Sequence, residues 1–200
     1  MKQLIKNSLL VILFSTSLLS FASGASPYVK VKRFDGKKFV VIVKSANPTD
    51  LQISLRDRND FELYAERHAD VKDGYAKKFD VADLPDGSYF LEIENAQKID
   101  VYSLEIAQGK LSIESDNRVA IFKPQVFQKG NQVDIAMLKY LNVPMKFSIL
   151  NNTNDIIYED TLADSQSVNK RYDMSKLDPG IYTLRFNLAG RLFTKSIDIQ

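Results

Sequence analysis

Few side chains in this sequence have the types and spacing that chemistry requires. The 200-residue chain has no cysteine and a single histidine, His68. These counts exclude disulfides, thiol nucleophiles, cysteine-rich zinc sites and any site that needs two histidines from this chain. His68 stands in the polar stretch 65–70, which we read as a loop, and no serine or cysteine signature accompanies it. We expect an exposed histidine without a catalytic role.

One acidic cluster contains the hard oxygen ligands that calcium prefers, namely Asp57, Asp60 and Glu62. Its spacing lacks the Asp-x-Asp-x-Asp-Gly pattern of a calcium loop, and Arg56 and Arg58 add opposing charge. The sequence favours a solvated hairpin turn at this point. A carboxylate pair for glycoside hydrolysis would leave no local signature, but the chain has no large loop to build a cleft. The eight glycines are scattered and form no phosphate-binding loop. We predict no catalytic, cofactor-binding or metal-ligating residue.

A Leu-x-x-Gly-x-Tyr motif occurs twice, at 84–89 and 177–182. Proline or aspartate before the glycine favours a tight turn, in which glycine supplies a positive φ. In Greek-key sandwiches a tyrosine at the start of the next strand can pack its ring inward and bond its hydroxyl to the turn backbone, forming a tyrosine corner. We favour this structural role over a binding role for the tyrosines, and expect the leucines to cover the bottom of the core. The predicted structural residues are Leu84, Gly87, Tyr89, Leu177, Gly180 and Tyr182.

The two motifs belong to a diverged internal repeat. They lie 93 residues apart, and the same offset relates four further identical pairs: Asp80 and Asp173, Leu91 and Leu184, Ser103 and Ser196, and Ile106 and Ile199. Loop insertions and deletions explain the slightly larger offsets of other pairs. We predict two domains, 26–115 and 116–200, with a polar boundary at 115–118. Residues 119–122 are expected to open the second domain.

Each repeat has the pattern of short strands separated by turns. Apolar residues recur at spacing 2 rather than 3.6, and turn residues recur every 8–12 positions. About seven strands in 85–90 residues predict an all-β fold of two tandem Ig-like or fibronectin III-like antiparallel β-sandwich domains. Alternation places Phe90 and Tyr102 opposite to Leu91 and Val101. These two aromatics are therefore expected on a sheet surface. Packing between the domains or filling of the sheet surface is favoured over a face that binds a sugar or a partner.

The first 25 residues read as a cleaved secretory signal peptide. Lys2 and Lys6 precede an apolar run over 9–19, and small residues follow at 22–25. The run is too short to span a bilayer, so a retained anchor is the weaker alternative. The two lysines are the only charges in this segment, so the formal +2 of the chain leaves with it. A balanced charge gives no support for binding nucleic acid. We predict a periplasmic, cell-surface or secreted protein without an integral membrane segment after cleavage.

Several segments together resemble the C-terminal sorting domains of Bacteroidota proteins exported by the type IX secretion system. In the first repeat the resemblance rests on Asn47-Pro48 and the segments 51–55, 57–60 and 83–91. The second repeat matches loosely at Asn142-Val143-Pro144 and better over 177–184. The resemblance implies small Ig-like sandwiches and an exported protein, and it specifies fold and secretion lineage more than activity.

These observations predict an exported, non-enzymatic structural or interaction protein without a cofactor. Its expected partner is another protein or a cell-surface component, and its oligomeric state is left open. Two alternatives remain at this stage. The first alternative is type IX cargo whose C-terminal domain acts as the sorting signal, and the second is a small carbohydrate-binding module.

Overall fold

The computed structural model describes residues 27–72, 74–114, 116–138, 143–162 and 167–200. The signal peptide predicted at 1–25 lies outside the described residues. Regular structure in the described part of the chain consists of β-strands, and no helix there is long and apolar enough to cross a membrane. The predicted all-β class is confirmed. Two compact units divide between Ile121 and Phe122, a few residues after the predicted domain boundary.

The N-terminal unit contains eight strands and most of a ninth: β1 (Tyr28–Arg33), β2 (Lys38–Lys44), β3 (Thr49–Asp57), β4 (Glu62–Val71), β5 (Tyr75–Asp80), β6 (Gly87–Glu94), β7 (Lys98–Ala107), β8 (Lys110–Ile113) and β9 (Val119–Phe122), whose last residue falls beyond the division. One sheet has the order β1-β2-β5, and the other has the order β4-β3-β6-β7-β8, with β9 also paired to β7. Alternate residues of both sheets face a common core, as Phe39 and Val41 of β2 and Leu51 and Ile53 of β3 illustrate.

The C-terminal unit contains seven strands: β10 (Gln125–Lys129), β11 (Gln132–Leu138), β12 (Met145–Leu150), β13 (Ile156–Leu162), β14 (Ser167–Asp173), β15 (Gly180–Leu188) and β16 (Arg191–Ile199). Its sheets have the orders β10-β11-β14 and β13-β12-β15-β16, and all their pairings are antiparallel. The buried aromatic rings of Phe147, Tyr172 and Phe186 pack together, with ring centroids 5.0 and 5.1 Å apart.

The two units repeat one topology, strand for strand. The orders β1-β2-β5 and β4-β3-β6-β7 recur as β10-β11-β14 and β13-β12-β15-β16. Tandem Ig-like β-sandwiches are therefore the architecture, as the sequence predicts. Strands β8 and β9 are additions of the N-terminal unit. Strand β9, which the sequence was expected to place at the start of the second domain, pairs with β7, and the two units divide within it, before Phe122.

The expectation that Tyr102 lies on a sheet surface is wrong, whereas Phe90 does face away from Leu91. Tyr102 is buried within the core, and Phe90 is half-buried. The register of β6 on β7 places Tyr102 directly opposite Leu91, so both side chains point into the core. Sequence alternation alone missed this because the phase of one strand relative to its neighbour depends on the turn between them. The exposed aromatic face on which a sugar-binding role depended is therefore not formed by this pair.

Candidate functional site

In each Leu-x-x-Gly-x-Tyr motif the tyrosine hydroxyl donates a hydrogen bond to the backbone of the preceding turn. The Tyr89 hydroxyl donates to the Pro85 carbonyl at 2.8 Å, and the Tyr182 hydroxyl donates to the Asp178 carbonyl at the same distance. In both units the acceptor stands four residues before the tyrosine. Burial raises the pKa of both phenols. Their hydroxyls are thus occupied by turn backbone in both units.

The leucine and glycine of each motif also take matching positions. The Leu84 amide donates to the Val81 carbonyl at 3.1 Å, and the Leu177 amide donates to Met174 at 2.9 Å. Leu84 packs partly buried against the core. Both glycines, Gly87 and Gly180, have φ near +155°, where a side chain is strained (+158° and +152°). The structure brings the motif residues of each unit together in one turn. In the N-terminal unit the Lys37 ammonium also donates to the Leu84 carbonyl at 2.8 Å, and the Asp86 carboxylate accepts the Gln108 amide at 2.6 Å.

In the acidic hairpin between β3 and β4, the carboxylates bind backbone amides and an arginine of the same hairpin. The Asp57 carboxylate accepts the amides of Asn59 and Phe61 at 2.8 and 2.9 Å. Arg56 pairs with Asp60 at 3.3 Å and with Glu62 at 2.9 Å. Within the described residues, no three His, Cys, Asp or Glu side chains are grouped to hold a metal ion.

The same loop recurs between β12 and β13 with an amide in place of the carboxylate. The Asn151 side-chain oxygen accepts the amides of Thr153 and Asp155 at 3.0 and 2.8 Å. Asp60 and Asn154 occupy the same left-handed position, with φ of 64° and 61°. The loop is therefore a repeated structural turn.

His68 lies in strand β4, not in the loop predicted for it. Its ring packs against Tyr75 with centroids 4.8 Å apart, and its Nε2 lies 3.4 Å from the Glu66 carboxylate. The side chain is 39% exposed. The polar sequence 65–70 reads as a loop because β4 is an edge strand, where alternate polar residues face solvent.

Glu66 is the centre of a cluster that the sequence reading missed. It accepts bonds from the Lys77 ammonium at 2.6 Å and from the Tyr75 hydroxyl, while Lys77 also donates to the Tyr64 hydroxyl. The cluster joins β4, at the edge of one sheet, to β5, at the edge of the other. Burial opposes ionisation of Glu66, but these hydrogen bonds outweigh it and lower its pKa to about 2. Burial raises the pKa of Tyr75.

The C-terminal unit carries the same cluster on the matching strands. Asp160 of β13 stands where Glu66 does, with its carboxylate 3.9 Å from the Lys170 ammonium and 3.4 Å from the Tyr172 hydroxyl. Burial raises the pKa of Tyr158 and of Tyr172, and Asp160 adds to both effects. The shared pattern is Tyr-x-acid on one edge strand and Lys-x-aromatic on the other. The repeat offset of 93 to 94 residues would have revealed it from the sequence.

This cluster ties the two sheets of each unit together, and its geometry suits a structural role. In the N-terminal unit hydrogen bonds lower the pKa of Glu66, and burial raises the pKa of Tyr75 there and of Tyr172 in the C-terminal unit. A general acid or base needs a proton that it can exchange near neutral pH, which none of these pKa shifts provides. The arrangement thus joins strand edges and gives no support for catalysis.

A buried ion pair lies on β7 of the N-terminal unit. The Lys98 ammonium is 2.9 Å from the Asp100 carboxylate, and Asp100 is fully buried. The Arg118 guanidinium, just before β9, lies 3.5 Å from the same carboxylate. This contact helps to hold the segment leading into β9 against β7.

Residues 129–200 match the family model described as the secretion system C-terminal sorting domain. The resemblance to type IX sorting domains is thereby confirmed, and it points to an exported protein. The match falls on the second unit, although the first unit carries more of the sequence pattern noted above. A search of curated proteins finds no match.

A search of solved structures finds 44 chains that are similar to this one. The BSP domain of a biofilm-associated protein is 11% identical with a TM-score of 0.29, and the match covers 87% of this chain and 29% of that one. A Salmonella alpha-2-macroglobulin mutant is 9% identical with a TM-score of 0.33, covering 88% and 19%. A tetra-tandem repeat from the extending region of a large adhesion protein is 14% identical with a TM-score of 0.29, covering 86% and 48%. The chain spans less than half the length of each, and likenesses at this level carry no argument about function.

Proposed function

We propose that the C-terminal unit is a type IX sorting signal and that the N-terminal unit is the passenger it delivers outside the cell. The observation that carries this proposal is the match of residues 129–200 to the sorting-domain family. These residues lie entirely within one compact seven-stranded unit, so the proposed signal is a folded domain.

The N-terminal unit, on this proposal, acts by binding another protein or a cell-surface component. Its acidic side chains support this non-enzymatic role, because they are used within the fold. Asp57 binds turn amides, Glu66 binds Lys77, and Asp100 binds Lys98. The N-terminal unit has the topology of the matched unit but lies outside the matched segment. The loops of such a rigid sandwich are suitable places for binding residues.

Cell fractionation of the full chain tests the proposal. An epitope tag placed just before β1 is followed in a Bacteroidota host, with the full chain compared to a chain ending at Ile121. We expect the full chain on the cell surface or in the medium, and the shortened chain in the periplasm. A host lacking the type IX outer-membrane translocon should retain both. Equal export of the two chains, or export of the full chain without the translocon, would overturn the proposal.

A further inference from the structure

The two units differ in whether further strands cover one edge of the larger sheet. In the N-terminal unit, β7 is covered by two added strands, β8 and β9. Its counterpart in the C-terminal unit, β16, pairs with β15 and with no other strand among the described residues. An uncovered strand of nine residues is long for a natural sheet edge, which proteins usually shorten, twist or cover.

One side chain occupies part of this open edge. The Gln128 side-chain amide donates to the Asp198 carbonyl and accepts the Asp198 amide at 3.3 Å. The β-sheet registers place Gln128 at the position of Arg33, which in the N-terminal unit donates to the Leu111 carbonyl of β8 at 3.3 Å. Gln128 thus bonds the edge of β16 directly, in the place where the first unit inserts a strand.

The rest of the β16 edge is open to an added strand. Backbone groups alternate sides along a strand, so residues in phase with Asp198 turn theirs to the same free side. These residues are Leu192, Thr194 and Ser196, and all three are exposed. The equivalent of Ser196 on β7 is Ser103, whose carbonyl accepts the Glu114 amide at 3.1 Å. The first unit therefore shows the bonding that this edge is able to make.

The exposure of Lys195, on the core-facing side of β16, also indicates that this edge is uncovered. This lysine pairs with Leu184, a fully buried core residue, yet Lys195 itself is exposed. Its equivalent in the N-terminal unit is Tyr102, which is 1% exposed. The two positions differ as expected if Tyr102 is covered at the filled edge and Lys195 is not.

We infer that the β16 edge, from Leu192 to Ser196, accepts an extended strand from another polypeptide. The strands on the first unit's edge indicate its chemistry. Leu111 and Ile113 lie opposite Ile106 and Leu104, so β8 covers the end of the edge that Gln128 holds in the second unit. Glu114 follows β8 and bonds Ser103, so it places an acidic residue beside the equivalent of the open stretch. An acidic residue near Lys195 would complement its charge. Main-chain bonds would supply affinity and the alternate side chains would supply specificity.

Lys195 also argues against a second copy of this chain as the occupant. Like charges that meet on one face of a paired edge repel each other, whereas an acidic partner strand avoids this repulsion. Antiparallel pairing of two β16 strands around a two-fold axis would bring the Lys195 ammonium groups of both copies to the same face. The inference does not depend on the sorting role proposed above, because it rests on the two sheet edges.

Hydrogen–deuterium exchange of the purified protein tests this inference, with a synthetic peptide of residues 108–122 as the probe. This peptide carries the sequence that covers the β7 edge. We expect it to slow exchange in residues 191–197 and to leave the other sheet edge, β13, unchanged. Replacement Thr194→Pro removes one free edge amide while keeping an edge strand, and should weaken peptide binding about five- to tenfold. Thr194→Ala keeps the amide and should bind as the parent does.

Gln128→Ala provides a test in the opposite direction. It frees the backbone of Asp198, lengthens the open edge and should strengthen peptide binding several-fold. Thermal unfolding of each variant establishes that it is folded. The inference is overturned if the peptide protects β16 in neither the parent nor Gln128→Ala, or if Thr194→Pro binds as tightly as Thr194→Ala. Light scattering that shows a dimer with β16 already protected would also overturn it, because the edge would then belong to a second copy.

Discussion

The hydroxyl of Tyr182 donates a hydrogen bond to the carbonyl of Asp178, and Tyr89 does the same to Pro85. Both distances are 2.8 Å, and both bonds fasten the last turn before a central strand of the larger sheet. The bond has been kept in both copies although the turn residues around it differ. This is the relationship expected of a structural anchor.

Replacing Tyr182 by phenylalanine should therefore destabilise the C-terminal unit by about 1 kcal/mol, since it leaves the Asp178 carbonyl without this donor. The measurement is the urea midpoint followed by a probe of that unit. Tyr28→Phe is the matched control, because Tyr28 is 57% exposed. An unchanged midpoint for Tyr182→Phe would contradict the anchoring role.

Asp57 offers a second test of the repeated turns. Asp57→Ala removes the acceptor of two backbone amides and should cost about 1–2 kcal/mol of unfolding free energy. Asp57→Asn should be nearly neutral, since Asn151 performs the same role in the other unit. Equal losses for the two variants, measured by urea unfolding, would show that the amide acceptor is not the source of stability.

Glu66 should make stability depend on pH in the acid range. Its pKa is lowered to about 2 in the folded protein, against 4.5 ordinarily. Its contribution is therefore complete above about pH 4.5 and is lost as pH falls toward 2. Because water screens this half-open site, we expect about 1 kcal/mol. The difference in unfolding free energy between the parent and Glu66→Gln should shrink over that range.

The Glu66 effect should also depend on its lysine partner. In a Lys77→Met background, Glu66→Gln should cost clearly less than in the parent at pH 7, because the ion pair is already absent. A cost that is the same in both backgrounds, or that does not change between pH 5 and pH 2.5, would refute the assignment.

Removing one partner of the buried Lys98–Asp100 ion pair on β7 should lower the free energy of unfolding much more than replacing both partners by apolar residues. Asp100→Ala leaves the Lys98 ammonium buried without its 2.9 Å partner and should cost about 3 kcal/mol or more. The double replacement Lys98→Met with Asp100→Leu removes both charges and should recover most of that loss. Denaturant unfolding measures both. A double variant as unstable as Asp100→Ala would mean that the pair contributes more than mutual neutralisation.

The repeat and its strands were predictable because their signals are local. Alternation at spacing 2 and the turn residues mark each strand, and the Leu-x-x-Gly-x-Tyr motif marks a turn that appears in both units. The all-β class and the Ig-like topology follow from those signals. Residues 119–122 illustrate the limit, because their apolar sequence suits a strand of either unit and only pairing with β7 decides.

Features that depend on strand register or on contacts between sheets could not be predicted from the sequence pattern. Tyr102 faces the core because it lies opposite Leu91, a relation that one strand alone does not encode. The Glu66 cluster joins strands from two sheets, so no short motif contains it, although comparison of the two repeats would have exposed it. His68 was misread because an edge strand and a loop can share the same polar composition.

The most direct test of the central claim compares the two units for their ability to export a fused reporter. A reporter with a standard secretory signal peptide is fused to residues 122–200 or, as the matched control, to residues 27–121, in a Bacteroidota host. The account predicts that the reporter reaches the cell surface or the medium with residues 122–200, and stays in the periplasm with residues 27–121. Periplasmic retention of the stable 122–200 fusion, or equal export of both fusions, would contradict it.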